Sequence, residues 1–282
     1  MASSTSAPVA FLWLTFVEMT ARIKQLSDGL WRLLGVSLAE ELRAILHANG
    51  ADMVGFANLQ HISPDVLSYL PFGISIAVAL RPHIILQIRE GPTKEYFAEY
   101  GRVNNLLNML GELAARFLTE KGHKALWFAA THAKKQSTYL RAGSGYDPRA
   151  LSTRLPHKTV ATRARLGWIG KCALLVTETY GSAIRLTTVL TDAMLPSGDS
   201  QDISLCGDCA SCVMACPGHA PSGKNWQPDL PRGDFFDAFA CQRAAKQVMT
   251  KRTGIDYPLC GICIAACPWT QRYITTIDRT GT

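Results

Sequence analysis

No apolar run in this sequence is long enough to cross a membrane as a helix. The stretch APVAFLWLTFV (Ala7–Val17) comes nearest, with 11 residues, where a spanning helix needs roughly 20. It reads as a helix packed on the core or as a docking face. No basic segment precedes it, so the pattern of a secretory signal is missing. Charge is scarce as well: Asp, Glu, Lys and Arg make up 18% of the chain, and the cations are scattered rather than blocked. That distribution argues against a nucleic-acid groove despite a formal net charge of +7. No G-x-G-x-x-G follows a strand and there is no P-loop, which leaves Rossmann-type nicotinamide binding and nucleotide hydrolysis without support. No repeat of solenoid period is present. A further absence is local: no Asp or Glu occurs from Pro148 through Thr177.

What is abundant is apolar residue and, late in the chain, cysteine. With 282 residues, 48% of them hydrophobic, the chain can bury a sizeable core in one or two domains. Nine cysteines cannot all pair as disulfides. A reducing, cytoplasmic location without membrane attachment is the expectation, and there clustered cysteines point to metal.

The chain divides near residue 195, giving an expected domain over 1–195 and a second over 196–282. The first holds alternating helix and strand patterns and one cysteine; the second holds eight cysteines and short segments rich in Gly and Pro. SLAEELRAILHANG (Ser37–Gly50) predicts a helix opened by a Ser37/Glu40 capping box and stopped by Gly50. ADMVGFA and GISIAVAL (Gly73–Leu80) predict buried strands, and KALWFAA predicts a strand. Pro92–Gly122 predicts one long helix or two, and Pro156–Gly167 a helix with proline at its start. CALLVTETYGSAIRLTTVLTD predicts two strands around a turn at Glu178–Ser182. Interleaved elements of this kind predict an α+β fold, or one of α/β type.

The second domain carries the chemistry. CGDCASCVMACP (Cys206–Pro217) is C-x2-C-x2-C-x3-C-P, the run that wraps three thiolates around one [4Fe–4S] cube and sends the fourth to another. CGICIAACP (Cys260–Pro268) supplies the partner run but lacks a first cysteine, and Tyr257 stands in its place. Cys241 fills the gap. Cluster one then takes Cys206, Cys209, Cys212 and Cys267, and cluster two takes Cys216, Cys241, Cys260 and Cys263. Structural zinc uses C-x2-C pairs but calls for neither the third cysteine nor the Cys-Pro ending. Cys172, in WIGKCALLV, is left over and reads as a small buried hydrophobe. Each oxidised cluster with its thiolates adds about −2, bringing the chain to roughly +3.

ATRARLGWIGKCALLV, followed by the two cysteine runs and CPW, resembles the epoxyqueuosine reductases and, more distantly, the corrinoid reductive dehalogenases. The resemblance spans about Leu70 to Tyr273. It implies a nitroreductase-like sandwich followed by a ferredoxin-like domain with two [4Fe–4S] clusters, and a cobalamin reduced by the nearer cluster. By position it sets Gly167, Trp168, Gly170 and Lys171 against the corrin or the cluster, with His157, Lys158 and Arg163 on the preceding helix. Each has an ordinary alternative: core for Trp168, tight turns for the glycines, solvated surface for Lys158 and Arg163. Tyr96 and Tyr100 share a helix face, as pocket hydroxyls or as core. The family's proton-donating aspartate lies just ahead of the helix, where this chain is acid-free; Asp147 is the nearest acid.

The expected function is therefore an iron–sulfur oxidoreductase of this type, fed by a donor such as a ferredoxin or flavodoxin. Its substrate is a small molecule or a corrinoid protein, and tRNA is not the expected partner, since the helical repeats of tRNA-acting members do not follow Trp269. Two other readings remain: an electron-transfer activator of a corrinoid protein, and a true tRNA epoxyqueuosine reductase. A closed apolar pocket beside cluster one would favour an enzyme, and an open patch a carrier.

Overall fold

FGISIAVA is apolar at almost every position, and a strand of that kind belongs in the middle of a sheet. In the computed structural model, which describes residues 35–131 and 146–280, it is strand β2 (Phe72–Ala79), buried along seven of its eight residues. Four strands form the sheet: β1 (Met53–Asn58), β2, β3 (Ala125–Phe128) and β6 (Ile184–Thr191), in the order β1-β2-β6-β3. All three pairings are antiparallel, with Ile74 opposite both Phe56 and Val189. The fold is thus α+β, with no parallel βαβ unit in this sheet.

Side-chain alternation sends successive residues of β6 to opposite faces. Leu186, Thr188 and Leu190 meet helix α4 (His157–Arg163), while the Thr187 face meets α3 (Lys94–Glu120). The long apolar pattern is one helix of 27 residues, capped by Thr93, whose hydroxyl accepts the Tyr96 N–H at 3.1 Å. Helix α1 (Leu38–Ala48) begins with the expected capping box: Glu40 accepts the Ser37 N–H at 2.9 Å and the Ser37 hydroxyl accepts the Glu40 N–H at 3.3 Å. A short α2 (Pro82–Leu86) was not anticipated.

CALLVTETYGSAIRLTTVLTD gives the two strands and the turn expected of it. It yields β5 (Leu175–Val176) and β6, but these do not pair as a hairpin: β5 pairs with β4 (Trp168–Ile169), and β6 joins the main sheet. The turn itself is present, closed by reciprocal backbone bonds between Thr177 and Gly181. Beyond β6 come α5 (Ser211–Ala215), α6 (Arg232–Phe235), α7 (Ala238–Thr253), α8 (Ile262–Ala266) and α9 (Pro268–Thr280). The described residues from Ile45 onward belong to one contact unit. The apolar stretch Ala7–Val17 lies outside the described residues. No helix among the described residues is long and apolar enough to cross a membrane.

Candidate iron–sulfur site

The two Cys-Pro endings do the same work. Cys216 terminates α5 with φ −74° and ψ 115°, and Cys267 terminates α8 with φ −67° and ψ 126°. A residue before proline is pushed out of the helical region into extended backbone. The helix therefore stops at that cysteine and turns its thiol away from those preceding it. Helices α5 and α8 pack against one another, so each run delivers its last thiol to its partner's side.

Cys206, Cys209, Cys212 and Cys267 line a single cavity of about 100 Å³ together with Gly170, Lys171, Cys172, Val176 and Trp269. This is the quartet expected for cluster one. For the second quartet, Cys241 on α7 lies within electrostatic reach of Cys216 and Cys260. Cys260 and Cys263 lie within reach of the buried Tyr96. Among the described residues no three His, Cys, Asp or Glu side chains converge on one ion. A cube does not require that, because each thiolate binds a different iron atom.

Three features beside the first quartet fit a negatively charged cluster. Lys171 is 6% exposed and lines the cavity without a carboxylate partner among the described residues. A buried ammonium needs a counter-charge, and a cube with four thiolates supplies about −2. The Trp168 indole N–H is buried without an acceptor, in a cluster with Val176, Cys206, Cys267 and Trp269. The Trp168 and Trp269 rings meet edge to face at 5.1 Å. Gly170 leaves room: a Cβ there would stand 3.4 Å from Cys206 Sγ and 2.8 Å from Val176.

Gly167 is set by backbone contact instead. A Cβ there would fall 2.1 Å from the Val176 carbonyl oxygen, where the chain before β4 crosses the end of β5. Gly167→Ala is expected to lower stability by roughly 3 kcal/mol or more, read as a fall in Tm. An unchanged Tm would contradict the close approach.

The residues assigned through the resemblance do not gather around one cavity. Gly167 and Trp168 line a pocket of about 390 Å³ with Arg165, Glu178 and Gln201, whereas Gly170 and Lys171 face the first cysteine quartet. Arg163 pairs with Asp202 and lines a third pocket with Asn58 and His61. His157 bonds the Thr188 hydroxyl at 2.8 Å and the Ala129 carbonyl at 3.0 Å. Lys158 donates to the Ala173 carbonyl at 2.7 Å. Burial, then the charge of Arg232, pushes Lys158 down to about 8, against an opposing pull from Cys172.

Tyr96 takes the core alternative. It is 2% exposed and packs on Gly261, and burial raises the pKa of its hydroxyl. Tyr100 is held by Thr131 at 3.1 Å and Tyr257 at 3.4 Å, with Arg185 over its ring at 4.0 Å. Asp147 turns back on its own loop: its carboxylate accepts the Arg149 N–H at 2.8 Å and faces the Arg149 guanidinium at 3.5 Å. Cys172 is buried, as expected, and lines the cavity of the first quartet. Glu178 and Arg165, which lie in the pocket against Trp168, were not singled out from sequence. Glu178 is the first acid after the acid-free stretch, and that position was its one visible signal.

Fold and cysteine geometry together define a two-cluster iron–sulfur protein. Residues 205–270 match the family model for a 4Fe-4S double cluster binding domain. The chain is also similar to the epoxyqueuosine reductase of Synechococcus sp. strain RCC307, with 33% identity over 128 residues, 43% of this chain and 37% of the relative. Among solved structures, it is similar to an epoxyqueuosine reductase with an epoxyqueuosine-modified tRNA-Tyr stem loop. The TM-score is 0.54 at 18% identity, over 83% of this chain and 65% of that one. A reductive dehalogenase described with a mechanism for B12-dependent dehalogenation gives a TM-score of 0.61 at 15% identity, over 86% of this chain and 33% of that one. These two structural likenesses are likenesses of fold. The resemblance to epoxyqueuosine reductases read from GWIGK and the cysteine runs therefore stands, while the chain spans about a third of that first curated relative.

Proposed function

We propose that this protein is an iron–sulfur reductase in which Cys206, Cys209, Cys212 and Cys267 hold one [4Fe–4S] cluster and Cys216, Cys241, Cys260 and Cys263 hold the other. In this reading residues 196–282 form the electron-carrying part and residues up to 195, of nitroreductase type, hold the acceptor. The observation that carries it is the cavity lined by the first quartet and bordered by Lys171 and Gly170 from the sheet-bearing half. A wire that ended in solvent would not need that half to close over it. The clusters supply one electron at a time. Trp168 stands between the cysteines and the 390 Å³ pocket, a size within the range of ligand sites. The substrate in this reading is a small molecule or a corrinoid protein, with a ferredoxin or flavodoxin as donor.

Cobalamin is the acceptor group that the family resemblance implies. The described residues offer no cavity lined by all seven assigned positions, so no step is assigned to it. Equilibrium titration of the cluster-loaded protein with cob(II)alamin tests it. Binding at micromolar concentration with a changed cobalt spectrum supports a corrin site. No binding moves the assignment to an electron carrier that reduces a corrinoid partner.

A further inference from the structure

A different charged side chain stands beside each cysteine quartet. Lys171 is buried, lines the first cavity and lies within electrostatic reach of Cys212. Trp269, another wall of that cavity, carries the Arg272 guanidinium 4.6 Å from its ring centre. The unpaired Trp168 N–H is buried on the same side. At the second quartet a carboxylate stands one helical turn ahead of Cys241. Asp237 caps α7, accepting the N–H groups of Phe239 and Ala240 at 2.9 Å each, and lies within electrostatic reach of Cys241. Arg185 stands further back, over the Tyr100 ring and bonded to Asn104.

Resting on the two-cluster reading, we infer that Lys171 and Asp237 set the direction of electron flow, making cluster one the higher-potential cluster and cluster two the lower. Reduction adds a negative charge to a cluster. A buried cation beside it favours that charge and a neighbouring carboxylate opposes it. Lys171 acts in a desolvated cavity, where charges interact more strongly than at a surface. Hydrogen bonds to cluster sulfur have the same sign as the cation, and Trp168 has a donor to spare. An electron that passes from cluster two to cluster one returns the core of cluster two from ~+1 to ~+2 and takes the core of cluster one from ~+2 to ~+1. No proton or further reductant is consumed in that step. The electron then rests beside Gly170, Lys171 and Trp168, at the face that borders the 390 Å³ pocket. Neither Lys171 nor Asp237 binds iron in this scheme; both act on the clusters through charge.

A potentiometric titration followed by electron paramagnetic resonance, on anaerobic protein with its iron counted, reads this directly. Wild type is expected to show two one-electron waves. Lys171→Met should lower only the upper wave, by about tenfold in the reduction equilibrium, or ~59 mV for a one-electron couple. Lys171→Arg, which keeps the charge, should leave it near the wild-type position. Asp237→Asn, which preserves the cap, should raise only the lower wave. The wave lowered in Lys171→Met should be the one that survives Cys241→Ser. An upper wave that Lys171→Met leaves in place, or a shift confined to the lower wave, overturns the inference. Wild-type protein without two four-iron clusters would instead remove the reading beneath it. Should Lys171→Met fail to hold iron, the Asp237→Asn arm still decides: a lower wave that does not rise refutes the assignment.

Discussion

Cys241→Ser is expected to bring the iron content of anaerobically prepared protein from about eight atoms per chain to about four. Cys241 is half-buried on α7, away from either cysteine run, yet within electrostatic reach of Cys216 and Cys260. If it is the fourth ligand of cluster two, serine leaves one iron without its thiolate and that cube is lost. Cluster one should persist, because Cys206, Cys209, Cys212 and Cys267 remain around their own cavity. Visible absorbance should fall by about half, and electron delivery from a protein donor should drop to background. Cys172→Ser is the control. It lines the first cavity, but both quartets are complete without it, so about eight irons should remain. Eight irons in Cys241→Ser, or stoichiometric zinc in the wild type, would end the two-cube assignment.

The cluster half of this molecule was legible because its information is local. A C-x2-C-x2-C-x3-C-P run fixes which thiols share a cube and where the chain turns, and proline imposes the extended backbone seen at Cys216 and Cys267. Cys241 was reached by elimination. The sheet was legible only in part. Apolar runs located β1, β2, β3 and β6, but periodicity carries no direction, and interleaved helices did not reveal that every pairing in the main sheet is antiparallel. The two-residue β4–β5 ladder is too short for any pattern. It depends on Gly167 passing close to the Val176 carbonyl, a contact between residues nine apart in the chain. Lys171 shows the same limit. Its position in GWIGK marked it for the site, but its burial without a carboxylate partner follows from how the hairpin folds over the cysteines. Tyr96 and Tyr100 do share a helix face, yet Gly261 and Tyr257 occupy the space a pocket would have needed.

Reduction of epoxyqueuosine in tRNA by the reduced, cofactor-loaded protein is expected to be slow, by about 10²–10⁴-fold relative to an enzyme with a positioned general acid. The two-electron opening of an epoxide to an alkene and water consumes two protons. Electron delivery alone does not supply them at the reacting atoms. The helix that leads into Gly167 has no carboxylate within it or directly ahead of it, from Pro148 through Thr177. Asp147, the nearest earlier acid, accepts the Arg149 N–H at 2.8 Å and is 43% exposed at its side chain. It does not line the cavities around Gly167, Trp168, Gly170 and Lys171. Glu178 does line the pocket against Trp168, which sets up a clean comparison. Incubation with epoxyqueuosine-containing tRNA, followed by nucleoside analysis for queuosine, should show little product, and Asp147→Asn should change it by less than about twofold. Robust turnover that Asp147→Asn abolishes would make Asp147 the acid and tRNA the substrate. Robust turnover abolished by Glu178→Gln, with Asp147→Asn silent, would also make tRNA the substrate but would place the proton donor in the pocket beside cluster one.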